Sequence, residues 1–160
     1  MERKTKVHAE EGKQEIVITR EFDLPLDLLF KAYMEPEIVA QWMGTNVLKL
    51  ENRKHGAYEF ETSDPQGNVV VRINGVYPEF IPGQRITRTF EMESIFASPV
   101  TFAVQLEFLE FEELTMNTSK LTMQIVYKTV ELRDQMLKMP FAQGINMAHN
   151  RLQEIVNNLK

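Results

Sequence analysis

PFAQGINMAHNRLQEIVNNL, residues 140–159, is the only long helical pattern in the sequence, and the rest of the chain is best understood around it. At about 100° per residue its apolar side chains fall on one stripe, and polar residues such as Asn150 and Arg151 fall on the other side. The stripe consists of Phe141, Ile145, Ala148, Leu152, Ile155, Val156 and Leu159. We therefore expect a long amphipathic helix that packs along one extended apolar surface.

Two short helices are predicted near the start of the chain. The first follows Pro25, which ends the strand before it, and has apolar residues at helical spacing up to Tyr33. The second begins at Pro36, a favoured first helical residue, and ends at Gly44. Two adjoining short helices after a first strand are more diagnostic of a fold than either helix alone.

The remainder of the chain alternates between apolar and polar residues, as β-strands do. Residues 14–23 form a first strand, and five or six more follow Asn46, separated by turn signals such as DPQGN at residues 64–68. Gly75 interrupts the run over residues 69–81, where we expect a bulge or a bend. The pattern predicts an α+β fold in which a curved antiparallel sheet of six to seven strands packs against the C-terminal helix.

Length and composition indicate one soluble domain. The 160 residues are 43% hydrophobic and 26% charged, and no apolar run approaches the roughly 20 residues of a membrane span. Residues 1–12 are almost entirely polar and predict a flexible charged tail, which leaves residues 13–160 as the folded domain. The charged start lacks the apolar segment of a secretory signal, which favours a cytoplasmic location.

Charge and residue types argue against several functional classes. Cysteine is absent, which removes disulfides and thiolate nucleophiles, and a net charge of −5 argues against nucleic acid as the main partner. There is no nucleophile elbow, no Gly-rich phosphate loop, and no His and carboxylate pattern at metal-ligand spacing. We expect no metal and no cofactor. The acidic stretch Glu107–Glu113 alternates with apolar residues and predicts a strand with a solvated face.

Several short motifs resemble those of one known family. Residues 20–25 (REFDLP), 29–32 (LFKA), 35–37 (EPE), 41–42 (QW), 55–60 (HGAYEF), 75–80 (GVYPEF) and 84–86 (QRI) occur in its order. They are similar to the AHSA1-like proteins, relatives of the C-terminal domain of the Hsp90 ATPase activator. The resemblance covers residues from about Glu15 to the end. It implies the helix-grip fold of the START and Bet v 1-like (SRPBCC) superfamily, whose members differ widely in function.

Three departures from the family pattern concern positions that shape a cavity. Relatives commonly have two adjacent tryptophans where this chain has Trp42-Met43, paired glycines where it has His55-Gly56, and Gly-Trp where it has Gly144-Ile145. Because aromatic side chains near a cavity decide what fits it, the resemblance does not carry a particular ligand over to this chain.

In a helix-grip fold, a gap between the long helix and the sheet forms an apolar pocket, which is the default binding-site hypothesis. Ordinary core packing is the alternative for each apolar residue, and nine methionines suit an adaptable surface. By strand parity and helical phase, the expected lining residues are Trp42, Tyr58, Phe60, Val71, Ile73, Phe90, Phe102, Val104, Met123, Ile125, Phe141, Ile145 and His149.

Three polar residues lie where apolar ones are expected. Arg20 and Arg88 share the parity of apolar strand residues, and His149 lies at the edge of the helical stripe. Inside a cavity they could hold an anionic or carbonyl-bearing ligand, or act as catalysts. The alternatives are an arginine that reaches solvent or pairs with glutamate, and a boundary histidine with one hydrogen bond.

These features lead to three hypotheses about function. The first is a binding module for a small hydrophobic or amphipathic molecule between the C-terminal helix and the sheet, and it makes the chain more a binding protein than an enzyme. The second is a cofactor-independent enzyme similar to polyketide cyclases and aromatases, with His149, Arg20 or Arg88 as its polar groups. The third, which the resemblance implies, is an Hsp90-type chaperone cofactor in a stress response. A monomer and a homodimer both agree with the sequence.

Overall fold

A computed structural model of the protein describes residues 3–94 and 101–159, except for the side chains of residues 101–103. Nine strands and four helices occur in this part of the chain. In chain order they are β1 (Lys6–His8), β2 (Glu15–Phe22), α1 (Leu26–Met34), α2 (Pro36–Met43), β3 (Asn46–Leu50), β4 (Ala57–Ser63), β5 (Val69–Val76), β6 (Glu79–Ile81), β7 (Arg85–Ser94), β8 (Thr101–Thr115), β9 (Thr118–Tyr127), α3 (Val130–Lys138) and α4 (Phe141–Asn157).

The strands form one curved antiparallel sheet in the order β1-β2-β9-β8-β7-β5-β4-β3, with β6 paired to β7. With α4 packed across it, this is the helix-grip fold, so the predicted fold class is confirmed. The predicted strand count of six to seven is too low. The run over residues 69–81 divides into β5 and β6, and the segment before residue 13 contributes β1.

Both short helices have the ends that their sequences predict. Pro36 is the first residue of α2, and Gly44 ends that helix in the left-handed conformation at φ 65°, which glycine adopts without steric cost. The two helices meet where Trp42 packs edge-on against Tyr33, with ring centroids 5.2 Å apart. Arg151 of α4 donates to the carbonyl of Trp42 over 3.1 Å, which ties α2 to the C-terminal helix.

The core lies between α4 and one face of the sheet, which we call the concave face. Leu152 and Val156 of α4 are fully buried, as are Ile16, Ile18 and Phe22 of β2. The predicted stripe therefore packs as expected over its C-terminal half. It ends before Leu159, which is 52% exposed because α4 stops at Asn157. No helix in the described ranges has both the length and the hydropathy needed to cross a membrane.

Part of the segment that the sequence predicts as a flexible tail has a defined position in the structure. Lys6–His8 pairs with β2, in register from Lys6 with Thr19 to His8 with Val17. The buried Arg133 of α3 donates to the carbonyl of Glu10 over 2.7 Å. Backbone pairing at the sheet edge holds a polar segment that could not have formed a core of its own. The domain boundary at residue 13 stays a prediction.

Candidate functional site

Two neighbouring rows of side chains cross the concave face of the sheet. One row joins Phe90 of β7, Gln105 of β8 and Tyr127 of β9, and the next joins Arg88, Glu107 and Ile125. Because side chains alternate along a strand, residues two apart point to the same side, and both rows therefore face the interior. They bring a buried amide, phenol, guanidinium and carboxylate together on an otherwise apolar surface.

Arg88 and Glu107 form a buried ion pair. Arg88 Nε donates to Glu107 Oε1 over 2.7 Å, and the two side chains are 11% and 4% exposed. Burial alone would lower the pKa of Arg88, but the attraction of Glu107, supported by the neighbouring phenols, raises it above its ordinary value. The guanidinium also lies 5.7 Å from the ring centroid of Tyr58. The carboxylate of Glu107 therefore compensates the positive charge of Arg88, although burying the two ions costs desolvation free energy.

The first row holds two polar atoms that lack a hydrogen-bond partner. Gln105 donates its Nε2 to Glu107 Oε2 over 2.6 Å, which leaves Gln105 Oε1 buried and unpaired in the described part of the chain. Among the same residues, the hydroxyl of Tyr127, which pairs with Gln105 from the adjacent strand, is also buried and unpaired. Burial and then the carboxylate of Glu107 raise the pKa of Tyr127, so its hydroxyl keeps its proton. Each unpaired group costs about 1–3 kcal/mol.

Tyr58 and Gly75 close the same region from β4 and β5. The hydroxyl of Tyr58 donates to the carbonyl of Thr89 over 2.6 Å. A Cβ on Gly75 would lie 2.7 Å from the Tyr58 ring and would clash with the Thr89 carbonyl. The Tyr58 ring can therefore lie against the backbone of residue 75 only because glycine has no side chain. Pairing of β5 with β7 ends one residue earlier, at Asn74, whereas pairing of β5 with β4 continues in register through Gly75 to Val76, so the predicted bulge or bend at Gly75 stays a prediction.

His149 and Arg20 belong to a second polar cluster, which also contains Thr5 and Asn146. His149 Nδ1 and Thr5 Oγ1 are 2.7 Å apart, and Arg20 NH1 lies 3.4 Å from the same hydroxyl and 3.2 Å from Asn146 Oδ1. The backbone N–H of Thr5 also donates to Asn146 Oδ1 over 3.0 Å. Two of the three predicted polar groups therefore converge on one atom, and that atom belongs to the chain itself.

His149 is fully buried and electrically neutral. Burial first and the positive charge of Arg20 second lower the pKa of His149 to about 3. Its ring packs edge-on against Phe22, with centroids 5.6 Å apart, and its Nε2 has no partner in the described residues. The side chain thus lies inside the contact face of α4 and not at its edge. It is a neutral imidazole near pH 7, which can give or take a hydrogen bond.

The described ranges hold no group of three His, Asp or Glu side chains placed to bind a metal ion. The profile described as "Activator of Hsp90 ATPase homolog 1-like protein" matches residues 23–157. The chain belongs to this family. A search of the curated proteins found no significant match.

Solved structures with the same fold come from several bacteria. The crystal structure of protein Ms6760 from Mycobacterium smegmatis superimposes with a TM-score of 0.81 at 16% identity, covering 97% of this chain and 98% of that one. A solution structure from Arthrobacter aurescens also gives 0.81, at 15% identity, covering 96% and 91%. DynU16, a protein of the dynemicin biosynthetic locus, gives 0.69 at 12% identity, and the match covers 92% of this chain but only 49% of DynU16.

Within this AHSA1-like fold, most of the predicted apolar lining residues lie in the core or at its margin. Trp42, Tyr58, Phe60, Met123 and Ile125 are buried. Val71, Ile73, Phe90, Phe141 and Ile145 are half-buried. Trp42 donates its Nε1 to the carbonyl of Ala32 over 2.8 Å, so its polar atom is already satisfied by the protein. Which of these residues touch a ligand stays a prediction.

The predicted parity of β8 is wrong for Val104. This residue is 45% exposed and pairs with Glu91 on the outer face, because Gln105 and Glu107 take the inward positions. Phe102 has the same parity as Val104, but its side chain lies outside the described residues. Glu107 is likewise buried, although its acidic stretch predicted a solvated face. The compensation by Arg88 explains why a carboxylate can occupy the interior there.

Sequence reasoning missed Gln105, Glu107 and Tyr127 as site residues. One signal could have found Glu107: Arg88 on an apolar parity requires a buried acidic partner, and a strand with acidic residues follows it. No comparable signal marks Tyr127, since its lack of a partner depends on what surrounds it.

The outer face of the same strands carries an open groove of about 790 Å³. Most of its lining residues have outward parity, among them Val76, Thr89, Glu91 and Val104. Its lining also includes three residues of inward parity, Tyr58, Gln105 and Tyr127, and of the predicted lining residues Tyr58 and Val104 border it. The groove therefore borders Gln105 and Tyr127, the two residues whose polar atoms lack a partner among the described residues.

Proposed function

We propose that this chain binds a small hydrophobic or amphipathic molecule in the interior between α4 and the concave face of the sheet. The observation that carries the proposal is the pair of unpaired polar atoms, Gln105 Oε1 and Tyr127 Oη, on adjacent strands of an apolar interior. Buried polar groups in proteins nearly always have partners. We infer that a ligand supplies the partner that these two atoms lack among the described residues.

The chemistry of the two atoms favours a ligand with a hydroxyl group. Gln105 Oε1 only accepts hydrogen bonds, whereas the protonated hydroxyl of Tyr127 can donate one. A single ligand hydroxyl can donate to the amide oxygen and accept from the phenol. Glu107 has both carboxylate oxygens engaged, by Arg88 and by Gln105, so it adds rigidity and no free acceptor.

Half-buried apolar side chains support an apolar body for the same ligand. Phe90 adjoins Gln105 in register, and Ile73 lies on the same face two strands away from β8. Phe141 and Ile145 of α4 pack against the core from the other side. Covering the remaining surface of such side chains contributes about 25 cal/mol per Å². The ligand class is thus a hydroxylated lipid, sterol or aromatic molecule.

The test compares alcohols with their methyl ethers. Native mass spectrometry and isothermal titration are run with a long-chain alcohol, a sterol and a phenol, each beside the matched ether. We expect each ether to bind the wild type more weakly than its alcohol, because it cannot donate to Gln105 Oε1. Tyr127→Phe should weaken binding of the alcohols about tenfold, since one net hydrogen bond is worth about 1–1.5 kcal/mol, and should weaken the ethers as well, because an ether oxygen can still accept from the phenol. Tyr58→Phe is the matched control, because the Tyr58 hydroxyl is already used by Thr89.

Two results would count against the proposal. One is that no alcohol or phenol of the panel binds the wild-type protein. The other is that Tyr127→Phe and Tyr58→Phe change the affinity equally, which would place neither hydroxyl in contact with the ligand.

A cofactor-independent enzyme is the second candidate. Its support is the convergence of His149 and Arg20 on Thr5 Oγ1, together with a fold shared with a protein of a biosynthetic locus. Catalysis there requires the substrate to displace Thr5, so Thr5→Ala should raise turnover of an unsaturated polyketide mimic and His149→Gln should abolish it. Unchanged turnover in both variants would end this candidate. The only support for the chaperone-cofactor hypothesis is the description of the family to which the chain belongs.

A further inference from the structure

A groove of about 630 Å³ lies where β1, β2 and the start of β9 meet. Lys6 pairs with Thr19, and Glu21 pairs with Lys120, so these side chains stand on the outer face of neighbouring strands. Thr19 and Glu21 alternate with the inward-facing residues of β2. The groove is thus separate from the interior pocket proposed above, and the two can be tested independently.

The groove carries a net positive charge, although the whole protein has a net negative charge. Its lining includes five basic residues, Arg3, Lys4, Lys6, Arg20 and Lys120, which define what we call the basic groove. Two acidic residues also line it, so the local balance is five minus two, or +3, whereas the whole chain carries −5. Such a local reversal of sign concentrates anions from solution.

The two carboxylates are already engaged by Arg3. Its Nε lies 2.8 Å from Asp23 Oδ1, and its NH1 lies 3.7 Å from Glu21 Oε1. Among residues 3–94 and 101–159, Lys4, Lys6 and Lys120 make no ion pair. Three ammonium groups are therefore available at the rim for an anion that enters the groove.

Arg20 borders the groove, but its side chain points into the interior. Its side chain is almost fully buried, its NH1 bonds Asn146 Oδ1 over 3.2 Å, and its guanidinium lies 5.2 Å from the centre of the Phe22 ring. The lysines, in contrast, carry their charge on long flexible stems. The lysine ammonium groups can therefore adjust to an anion with several oxygens, while the guanidinium of Arg20 stays engaged inside the fold.

We propose that the basic groove binds a phosphate group carried by a small molecule. The volume lies within the range of about 300–1,000 Å³ typical of small-molecule sites, so it leaves room for more than a bare phosphate ion. A phosphorylated metabolite and a phospholipid headgroup share this chemistry. The groove selects the phosphate group by charge, and the experiment separates its two sources.

The test uses inorganic pyrophosphate, phenyl phosphate, and vesicles of phosphatidylcholine with or without phosphatidic acid. Lys4→Ala, Lys6→Ala and Lys120→Ala are combined in one variant. Its matched control combines Lys49→Ala, Lys54→Ala and Lys138→Ala, which removes the same charge from exposed lysines outside the groove. Both variants are first compared with the wild type by thermal unfolding.

We expect the wild type to bind pyrophosphate or phenyl phosphate in about 0.1 M salt, with amide shifts in NMR spectra at Lys6, Thr19 and Lys120. The groove variant should lose at least about tenfold in affinity and the control about twofold or less, since exposed charges farther than a Debye length of about 10 Å are screened. Binding to phosphatidic acid vesicles alone, lost in the groove variant, would support the proposal with a headgroup as the source. Equal losses in both variants, or no binding to any probe, would overturn it.

Discussion

Acidification should destabilise the protein through His149. The folded protein holds the pKa of this imidazole at about 3, against an ordinary 6.5, because the ring is buried and lies near Arg20. The unfolded chain therefore binds a proton in a range of pH where the folded protein does not. The stabilisation is complete above pH 6.5 and is lost as the pH falls toward 3.

The size of the effect follows from the shift. Each pH unit below the ordinary pKa removes about 1.4 kcal/mol from the free energy of unfolding. At about pH 5 the loss is therefore about 2 kcal/mol, and the full shift corresponds to an upper limit of about 5 kcal/mol. For a domain with a free energy of unfolding of about 5–15 kcal/mol, a loss of this size is readily measured.

Urea unfolding, followed through the fluorescence of Trp42, is the assay. Trp42 is the single tryptophan and is buried, so its emission reports loss of the core. The free energy of unfolding is measured between about pH 7.5 and 4.5 for the wild type and for His149→Gln, whose amide can still bond Thr5 but does not titrate. Subtracting the two curves removes the contributions of all other titrating groups.

The wild-type curve should fall more steeply than the His149→Gln curve, with the difference growing to about 2 kcal/mol by about pH 5. Parallel curves would refute the reasoning. They would mean that the ring can be protonated in the folded state, so that burial and Arg20 do not hold it neutral.

Three further predictions concern the concave face and α4. Glu107→Leu should cost about 3–5 kcal/mol in urea unfolding because it leaves the Arg88 charge buried and uncompensated, and adding Arg88→Met should recover most of the loss; a double variant no more stable than the single one would contradict this. Gly75→Ala should cost more than about 1–3 kcal/mol, since the new methyl group meets the Thr89 carbonyl. Gly144→Ala, with open space around it on a helix, should instead stabilise by about 0.5–1 kcal/mol, and equal effects at the two glycines would be inconsistent with the packing described.

Local chemistry explains which parts of the fold were predictable. Pro36 and Gly44 mark the ends of α2 through backbone preferences that hold in any tertiary context. The stripe of α4 repeats over the length of a helix, so single exceptions do not hide it. Pro140 lies between α3 and α4, where its ring and missing N–H do not allow one continuous helix.

The parity of β8 could not be predicted in the same way. Its sequence carries apolar residues on both parities, with Val104 and Leu106 on one and Leu109 and Phe111 on the other. Alternation alone therefore does not choose the inner face. The choice depends on Glu107 meeting Arg88 across a strand pair, a contact between residues 19 positions apart.

By itself, the sequence determined the helix-grip architecture and the AHSA1-like family, because both are expressed in local spacing and in motifs along the chain. Only the tertiary structure decided that Gln105 and Tyr127 leave two polar atoms unpaired and that Thr5 covers His149 and Arg20. Pairing and burial are properties of surroundings assembled from distant segments. They appear only when β1, β8, β9 and α4 lie together.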